Sequence, residues 1–163
     1  MRLFEFTDEA GVTDVVRIDA TRTGQGVFAV RTYPSSAVIG EITGELIRDQ
    51  TYGSNYAFDL EDGLLLEPFE PFRYVNHSCD PNCEFDWIDG SGADGRRAPK
   101  LYLVALRDID PNEQLTIDYS WPAGNAIPCD CRSPLCRGWV VSMDELGAVF
   151  MRMREQTQLH ETS

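Results

Sequence analysis

Lysine is almost missing from this chain: of 14 basic residues, 13 are arginine and the other is Lys100. Acids number 27, giving a formal net charge of -13. A surface this negative repels phosphates, which argues against direct nucleic-acid binding and favours a cationic partner such as a Lys/Arg-rich protein segment. GC-rich coding is the simpler cause of the arginine bias itself. No apolar run approaches the roughly 18 residues of a membrane span, so no membrane partner is expected. The start, MRLFEFTDEA, carries acids where a signal peptide needs a basic and then an apolar stretch, so nothing points to export. An odd count of five cysteines without an export signal excludes a disulfide framework and suits a reducing, intracellular setting, cytoplasmic or nuclear. No linker and no long-period repeat is present. What remains is 42% hydrophobic with three Trp, six Tyr and eight Phe, enough for one folded domain with its own core.

The first two-thirds is cut into short apolar runs by Gly, Pro, Ser and Asp. Val15–Ile18, Val27–Val30, Ala37–Ile39, Tyr56–Leu60, Leu64–Leu66, Leu101–Ala105 and Leu115–Tyr119 read as strands. Gly40 and Gly44 make Ile39–Gln50 strand and turn rather than helix. The run Asp89–Gly95 reads as the long tip of a hairpin. At the end, Ser142 and Glu145 form a capping box. Leu146, Val149, Phe150 and Met153 then fall on one helical face, predicting a C-terminal amphipathic helix packed on the rest. The expected class is mainly β with few helices.

Cys129, Cys131 and Cys136 form C-x-C-x4-C within CDCRSPLC. That spacing brings three thiolates to one ion, and zinc takes four ligands. The fourth comes from Asn76–Cys83, where Cys79, Cys83 and His77 are all candidates. The polar surroundings of the trio make a poor core segment, which favours metal over buried thiols; Cys83 alone reads as a small buried hydrophobe. Gly24-Gln25-Gly26-Val27-Phe28-Ala29 matches the dinucleotide pattern G-x-G-x-x-G/A, with Glu45 downstream. The match fails on context, because VFAVRTYP is β-like and stops at Pro34 where a helix is required. These glycines serve a sharp turn and close backbone approach to a ligand instead.

The segment RYVNHSCDPNC, Arg73 to Cys83, closely resembles the Asn-His-Ser-Cys-x-Pro-Asn signature of SET-domain protein lysine methyltransferases. Three further stretches agree, in that family's order. TGQGVFAVRTYPSSAVIGEITGELI resembles its G-x-G and Glu-x-x-Gly-Glu motifs, ALRDIDPNEQLTIDYSW its Leu-Thr-x-Asp-Tyr motif, and CDCRSPLCRGW its zinc-binding post-SET segment.

The resemblance implies a β-clip-like SET fold of small antiparallel sheets, with the Asp-Tyr segment passing through a loop near the Asn-His segment as a pseudoknot. It implies a SET domain over residues 1–124, a post-SET segment over 125–140, and a C-terminal helix and tail over 141–163. S-adenosylmethionine would meet Thr23, Gly24 and Gln25 through backbone, with Tyr56, Asn76 and His77 as further contacts and Trp139 covering the adenine. By the same analogy Cys79 completes one structural zinc site with Cys129, Cys131 and Cys136, and Cys83 is left structural. Tyr119 becomes the expected catalytic residue, orienting the substrate amine; the plain alternative is a strand tyrosine with a satisfied hydroxyl. A Cys/His hydrolase built on His77 and Cys79 is a weaker idea, since the metal makes better use of Cys79. Asp80 and Glu84 read as solvated loop acids.

Two positions depart from the family pattern. Ile42 stands where members commonly carry Tyr, and Ile117 stands where Phe or Tyr precedes the Asp-Tyr pair. Both line the lysine channel in the resemblance, and a roomier channel favours higher methylation states. No cysteine-rich segment precedes Thr23, which reads as a minimal form. The expected function is methyl transfer from S-adenosylmethionine to a lysine of a basic protein or peptide, for instance a histone or histone-like tail. The alternative is a catalytically silent SET module that binds a basic partner. The sequence leaves oligomeric state open.

Overall fold

Alternation dictates the central strands. In Lys100–Ala105 the side chains of Leu101, Leu103 and Ala105 are buried while Lys100 is exposed, the period-two pattern of a sheet with one covered face. The computed structural model describes residues 2–7, 13–49, 51–60, 63–88 and 100–161. In chain order its strands are β1 (Arg2–Thr7), β2 (Thr13–Thr21), β3 (Gly24–Ala29), β4 (Val38–Ile42), β5 (Gly44–Ile47), β6 (Phe58–Asp59) and β7 (Leu65–Pro68). They continue as β8 (Asn76–His77), β9 (Cys83–Ile88), β10 (Lys100–Ala105), β11 (Thr116–Ile117), β12 (Ile127–Pro128) and β13 (Trp139–Val140), followed by helix α1 (Leu146–Glu161).

The strands form small sheets ordered β1-β2-β3, β4-β10-β9, β5-β7-β6, β8-β11 and β12-β13. The three-stranded sheets are antiparallel throughout. The hairpin expected around residue 90 is present as the β9/β10 pair, with Lys100 opposite Ile88; its tip, Asp89–Gly95, lies outside the described residues. Residues 39–49 are strand and loop rather than helix; Gln50 lies outside the described residues. Two expected strands are much shorter than their apolar runs: Tyr56–Leu60 contributes Phe58–Asp59 and Leu115–Tyr119 contributes Thr116–Ile117. β1, absent from the strands expected above, pairs with β2 along its whole length.

The chain divides into two compact units. In the first, Met1–Asn76 with Asn82–Thr116, the core includes Val16, Val27, Ile39, Leu64, Leu103 and Leu115, all at most 1% exposed. Arg17 sends Nη1 to Asn112 Oδ1 at 2.9 Å. Asn82, only 2% exposed, is the polar hub of this unit. Its Nδ2 donates to the Gln114 carbonyl at 2.8 Å and to Glu113 Oε1 at 3.1 Å, and its Oδ1 accepts the Thr116 N–H at 2.8 Å. Leu106 N–H donates to its carbonyl at 2.9 Å. The amide thus satisfies the main chain on both sides of Leu115, where β11 is too short to do so.

The second unit, His77–Pro81 with Ile117–Ser163, holds a small cluster of Ala123, Val141 and Val149, with Leu146 and Trp139 packed beside it. The capping box does not form. Ser142 flanks a 3-10 turn, Met143–Glu145, without a side-chain cap, and the Glu145 carboxylate instead accepts the Ala123 N–H at 2.7 Å. Arg152 donates to the carbonyl of that same residue at 3.0 Å. α1 and the turn before it are therefore anchored to the N–H and carbonyl of Ala123, with Val149 buried, while Phe150 and Met153, expected on the packed face, stay about half exposed.

Asn82→Ala should lower the unfolding free energy by about 2–4 kcal/mol, because it strands buried main-chain groups in addition to removing hydrogen bonds. Chemical denaturation measures this directly, and a loss below about 0.5 kcal/mol would contradict the hub role.

Candidate functional site

In the first unit the glycine motif is β3 and the turn leading into it, not a helix start. Gly24 has φ +119°, and a Cβ built on it would meet nothing within 4 Å. The backbone there is both sharply turned and open, as a cradle for a ligand needs to be. Gly26 serves differently from expectation. A Cβ there would fall 2.6 Å from Thr21 Cγ2 and 2.7 Å from Gln114 Nε2, so this glycine admits protein side chains rather than a ligand. Asn76 Nδ2 donates to the Gln25 carbonyl at 2.8 Å, which fixes the exposed Thr23–Gln25 turn to the Asn-His segment. Tyr56, 43% exposed, lies under the Arg73 guanidinium, 3.9 Å from its ring centre. Arg73 is itself ion-paired with Glu67, so this aromatic is held by a cation–π contact on a braced arginine. Ile42, at 3% exposure, sits opposite Leu101 in the β4/β10 pair.

In the second unit the sulfurs of Cys79, Cys129, Cys131 and Cys136 all lie within 4.8 Å of one another. Cys79 and Cys129 are 3.7 Å apart. A tetrahedral zinc with bonds of about 2.3 Å requires sulfur–sulfur edges of about 3.8 Å, so this pair already has the required spacing, and it is far too long for a disulfide. Backbone N–H groups are aimed at the sulfurs: Arg137 at Cys79, Cys131 at Cys129, Cys79 and Ser133 at Cys131, and Gly138 at Cys136. Burial raises the thiols of Cys79 and Cys129. Burial also opposes ionisation of Cys131, but those backbone donors draw it down to about 7. Four thiolates this close repel one another unless a cation compensates them, and an all-sulfur set at this spacing suits zinc. Cys83 stands apart, fully buried, its thiol pushed up to about 12 by desolvation, consistent with a structural residue.

Within the same unit His77 lies beside the sulfurs and meets the Asp-Tyr motif. The Tyr119 N–H donates to His77 Nδ1 at 3.2 Å. That acceptor role places the ring proton on Nε2, which faces Cys79 Sγ at 3.3 Å. His77 is therefore a neutral imidazole joining a sulfur ligand to the Tyr119 backbone. Burial holds its pKa below the usual value, with Asp118 pulling the other way. The Tyr119 ring lies 5.4 Å from that of His77 and 5.3 Å from Trp121, just beyond the end of β11. Asp118 accepts two hydrogen bonds from Arg137, at 2.6 and 2.7 Å. Burial alone would raise the Asp118 carboxyl, but Arg137 and the Ser120 N–H outweigh it and hold it low. Ile117 is 2% exposed. Trp139, half-buried, pairs with Pro128 and packs beside Val141 and Val149.

Asp118, Arg137, Asn82 and Glu67 were not singled out in the sequence. Asp118, Arg137 and Asn82 fall inside motifs already quoted, where a buried charge or amide next to a ligand was the available signal; Glu67 had none.

The SET domain family profile matches residues 24–120. An H3 lysine-4 specific histone-lysine N-methyltransferase of Chaetomium globosum is 31% identical over 134 residues, covering 71% of this chain and 12% of that protein. Histone-lysine N-methyltransferase set1 of Dictyostelium discoideum is 33% identical over 128 residues, covering 69% and 8%. The chain thus spans about a tenth of the length of such relatives. Among solved structures, KRYPTONITE in complex with mCHG DNA and SAH aligns with TM-score 0.67 at 22% identity, over 77% of this chain and 28% of that one. Its complex with mCHH DNA, H3(1-15) peptide and SAH gives 0.65 at 23%, over 77% and 29%. These likenesses establish the fold.

Purified protein should carry close to one zinc per chain by elemental analysis. Cys131→Ser should abolish it, while Cys83→Ala should leave it intact. Because thiolates are the ligands, zinc affinity should fall as pH is lowered, protons competing with the metal. Full metal content in Cys131→Ser would contradict this ligand set.

Proposed function

The chain belongs to the SET-domain family, and from that premise we propose that it is a protein-lysine N-methyltransferase acting on a basic protein segment. The observation that carries this reading is Tyr119. Its main chain is pinned to His77, which itself reaches Cys79, and its ring is flanked by His77 and Trp121, so the ring is preorganised. The curated relatives are named as histone-lysine methyltransferases; both KRYPTONITE complexes contain SAH and one of them also an H3(1-15) peptide. The DNA in those titles belongs to a protein of which 28–29% is matched; here a net charge of -13 opposes phosphate binding and favours a basic peptide. We assign residues 1–124 to the SET domain, 125–140 to the post-SET segment and 141–163 to the helix and tail, in an intracellular, reducing setting.

S-adenosylmethionine, when bound, supplies a methyl group on a sulfonium for in-line displacement. The open turn at Thr23, Gly24 and Gln25, braced by Asn76, suits a ligand held through backbone groups, with Tyr56 as a further contact in the same unit; in the second unit the family likeness gives His77 and Trp139 a cofactor-contacting role. The attacking lysine must be neutral, although its ordinary pKa is about 10.4. In the family likeness Ile42 and Ile117 are lysine-channel positions, and apolar side chains there disfavour the ammonium by desolvation; the Tyr119 hydroxyl accepts a hydrogen bond from the amine and fixes its approach. The acceleration comes from alignment and preorganised dipoles rather than a strong general base. Zinc at Cys79, Cys129, Cys131 and Cys136 is structural: it holds the segment carrying Trp139.

With radiolabelled S-adenosylmethionine and mixed basic proteins, the wild type should transfer label, and Tyr119→Phe should lose about a hundredfold in kcat. Cofactor binding without transfer to any substrate would instead support a silent module, the alternative that the isoleucines at 42 and 117 keep open against Tyr119, Asn76 and His77. Mass spectrometry of a peptide product should show di- or trimethyl-lysine, and Ile117→Tyr should shift it towards monomethyl-lysine; exclusive monomethylation by wild type would refute the roomy channel. Raising ionic strength from about 0.05 to about 0.3 M should raise the peptide KM several-fold with kcat unchanged. A salt-insensitive KM would separate the acidic surface from substrate capture.

A further inference from the structure

Arg137 follows the ligand Cys136 directly, and its side chain is 7% exposed. Its backbone N–H is directed to Cys79 Sγ. Its guanidinium forms a fork on Asp118, Nη1 to Oδ2 at 2.6 Å and Nη2 to Oδ1 at 2.7 Å. One residue therefore bonds the sulfur cluster through its main chain and the residue before Tyr119 through its side chain. Asp118 Oδ1 also accepts the Ser120 N–H at 3.1 Å, and Ser120 has φ +47°, a left-handed conformation that a serine holds only when its neighbours fix it. The turn bearing Tyr119 is thus clamped on both flanks of the tyrosine by one carboxylate.

Charge makes the clamp sensitive to the metal. Zinc with four thiolates carries a net charge of about -2, and Asp118 adds another negative charge nearby. Arg137 is the buried cation between these groups. Without it, Asp118 faces the anionic cluster uncompensated and is repelled, taking the Tyr119 turn with it. Without the metal, the segment that presents the Arg137 fork loses its anchor.

We propose that Arg137 is a positioning residue that couples occupancy of the metal cluster to the placement of Tyr119. The inference rests on the readings above of a zinc site and of Tyr119 in methyl transfer, and it makes the metal more than a staple: the cluster and the catalytic turn become one cooperative element.

The test uses the full chain in four variants, Arg137→Gln, Arg137→Lys, Asp118→Asn and the double variant of the first with the last, with zinc affinity from competition against a chromogenic chelator, kcat and KM for a basic peptide, and 19F NMR of protein labelled with 3-fluorotyrosine. The Tyr119 resonance is assigned by its loss in Tyr119→Phe. Arg137→Gln should weaken zinc binding by about tenfold or more, lower kcat with little change in peptide KM, and shift the Tyr119 resonance of the zinc-saturated protein while the other tyrosines stay in place. Arg137→Lys restores the charge without the fork, so it should recover zinc affinity to within about threefold but not kcat or the Tyr119 shift. Arg137→Gln combined with Asp118→Asn should be no worse than Arg137→Gln alone. Unchanged zinc affinity in Arg137→Gln, full rescue by lysine, or independent losses in the double variant would each overturn the proposal. If the wild type transfers no methyl group, the functional reading fails while chelator competition and the Tyr119 resonance still decide the coupling.

Discussion

Buried at 2% exposure, the Asn82 amide binds the main chain on both sides of Leu115, supplying hydrogen bonds that a two-residue strand cannot. The fold contains several such strands, β6, β8, β11, β12 and β13, each too short to be held by its own ladder. Their positions must be set by side chains that act as clamps. Asn82 does this for the segment entering β11, and the Glu113 carboxylate, held low chiefly by its hydrogen bond from Arg107, completes the network. Polar clamps of this kind demand full satisfaction: each buried donor or acceptor left over would cost more than its bond contributes.

In the second unit the same demand is met by sulfur. Cys79 is separated by fifty residues from Cys129 in the chain, yet their Sγ atoms are 3.7 Å apart. A divalent cation turns mutual repulsion of the thiolates into a bond network, and the free energy of binding becomes free energy of folding. The two-residue pair β12/β13 is joined to this centre by the Cys129 N–H on the Gly138 carbonyl at 2.9 Å. His77 extends the network to Tyr119 through a ring whose tautomer is dictated by its two partners. The site is rigid where chemistry needs it because its supports are polar and shared.

Much of this was legible in the sequence, for reasons that differ by residue. The C-x-C-x4-C spacing announces a metal set because ligand geometry is local, but the fourth ligand is not local: spacing left Cys79, Cys83 and His77 open, and only the family likeness selected Cys79. Gly24 was readable because a positive φ is a property of one residue. Gly26 was not, because what it accommodates, Thr21 and Gln114, comes from other strands. The capping box failed for the same reason: Glu145 is better satisfied by the distant Ala123 N–H than by its own turn. Strand lengths were overestimated at Tyr56–Leu60 and Leu115–Tyr119, since apolar runs record burial and not ladder pairing. Asp118 and Arg137 were invisible as a pair because nothing in one dimension links residues 118 and 137.

The scarcity of lysine acquires a structural sense at Arg137. A buried carboxylate next to an anionic metal centre requires a cation that cannot lose its proton and that delivers two parallel N–H bonds. Lysine fails both demands, as a single rotating ammonium whose pKa falls on burial. The proposed activity on lysine would give a further reason to build internal ion pairs from arginine, since a neutralised lysine near the transfer site would compete as nucleophile. Glu67 with the partly buried Arg73 follows the same rule, while the one lysine, Lys100, pairs with Glu41 at the exposed surface, as Arg107 does with Glu113. Arginine bias that composition alone assigns to coding thus coincides with what each buried or bracing ion pair requires.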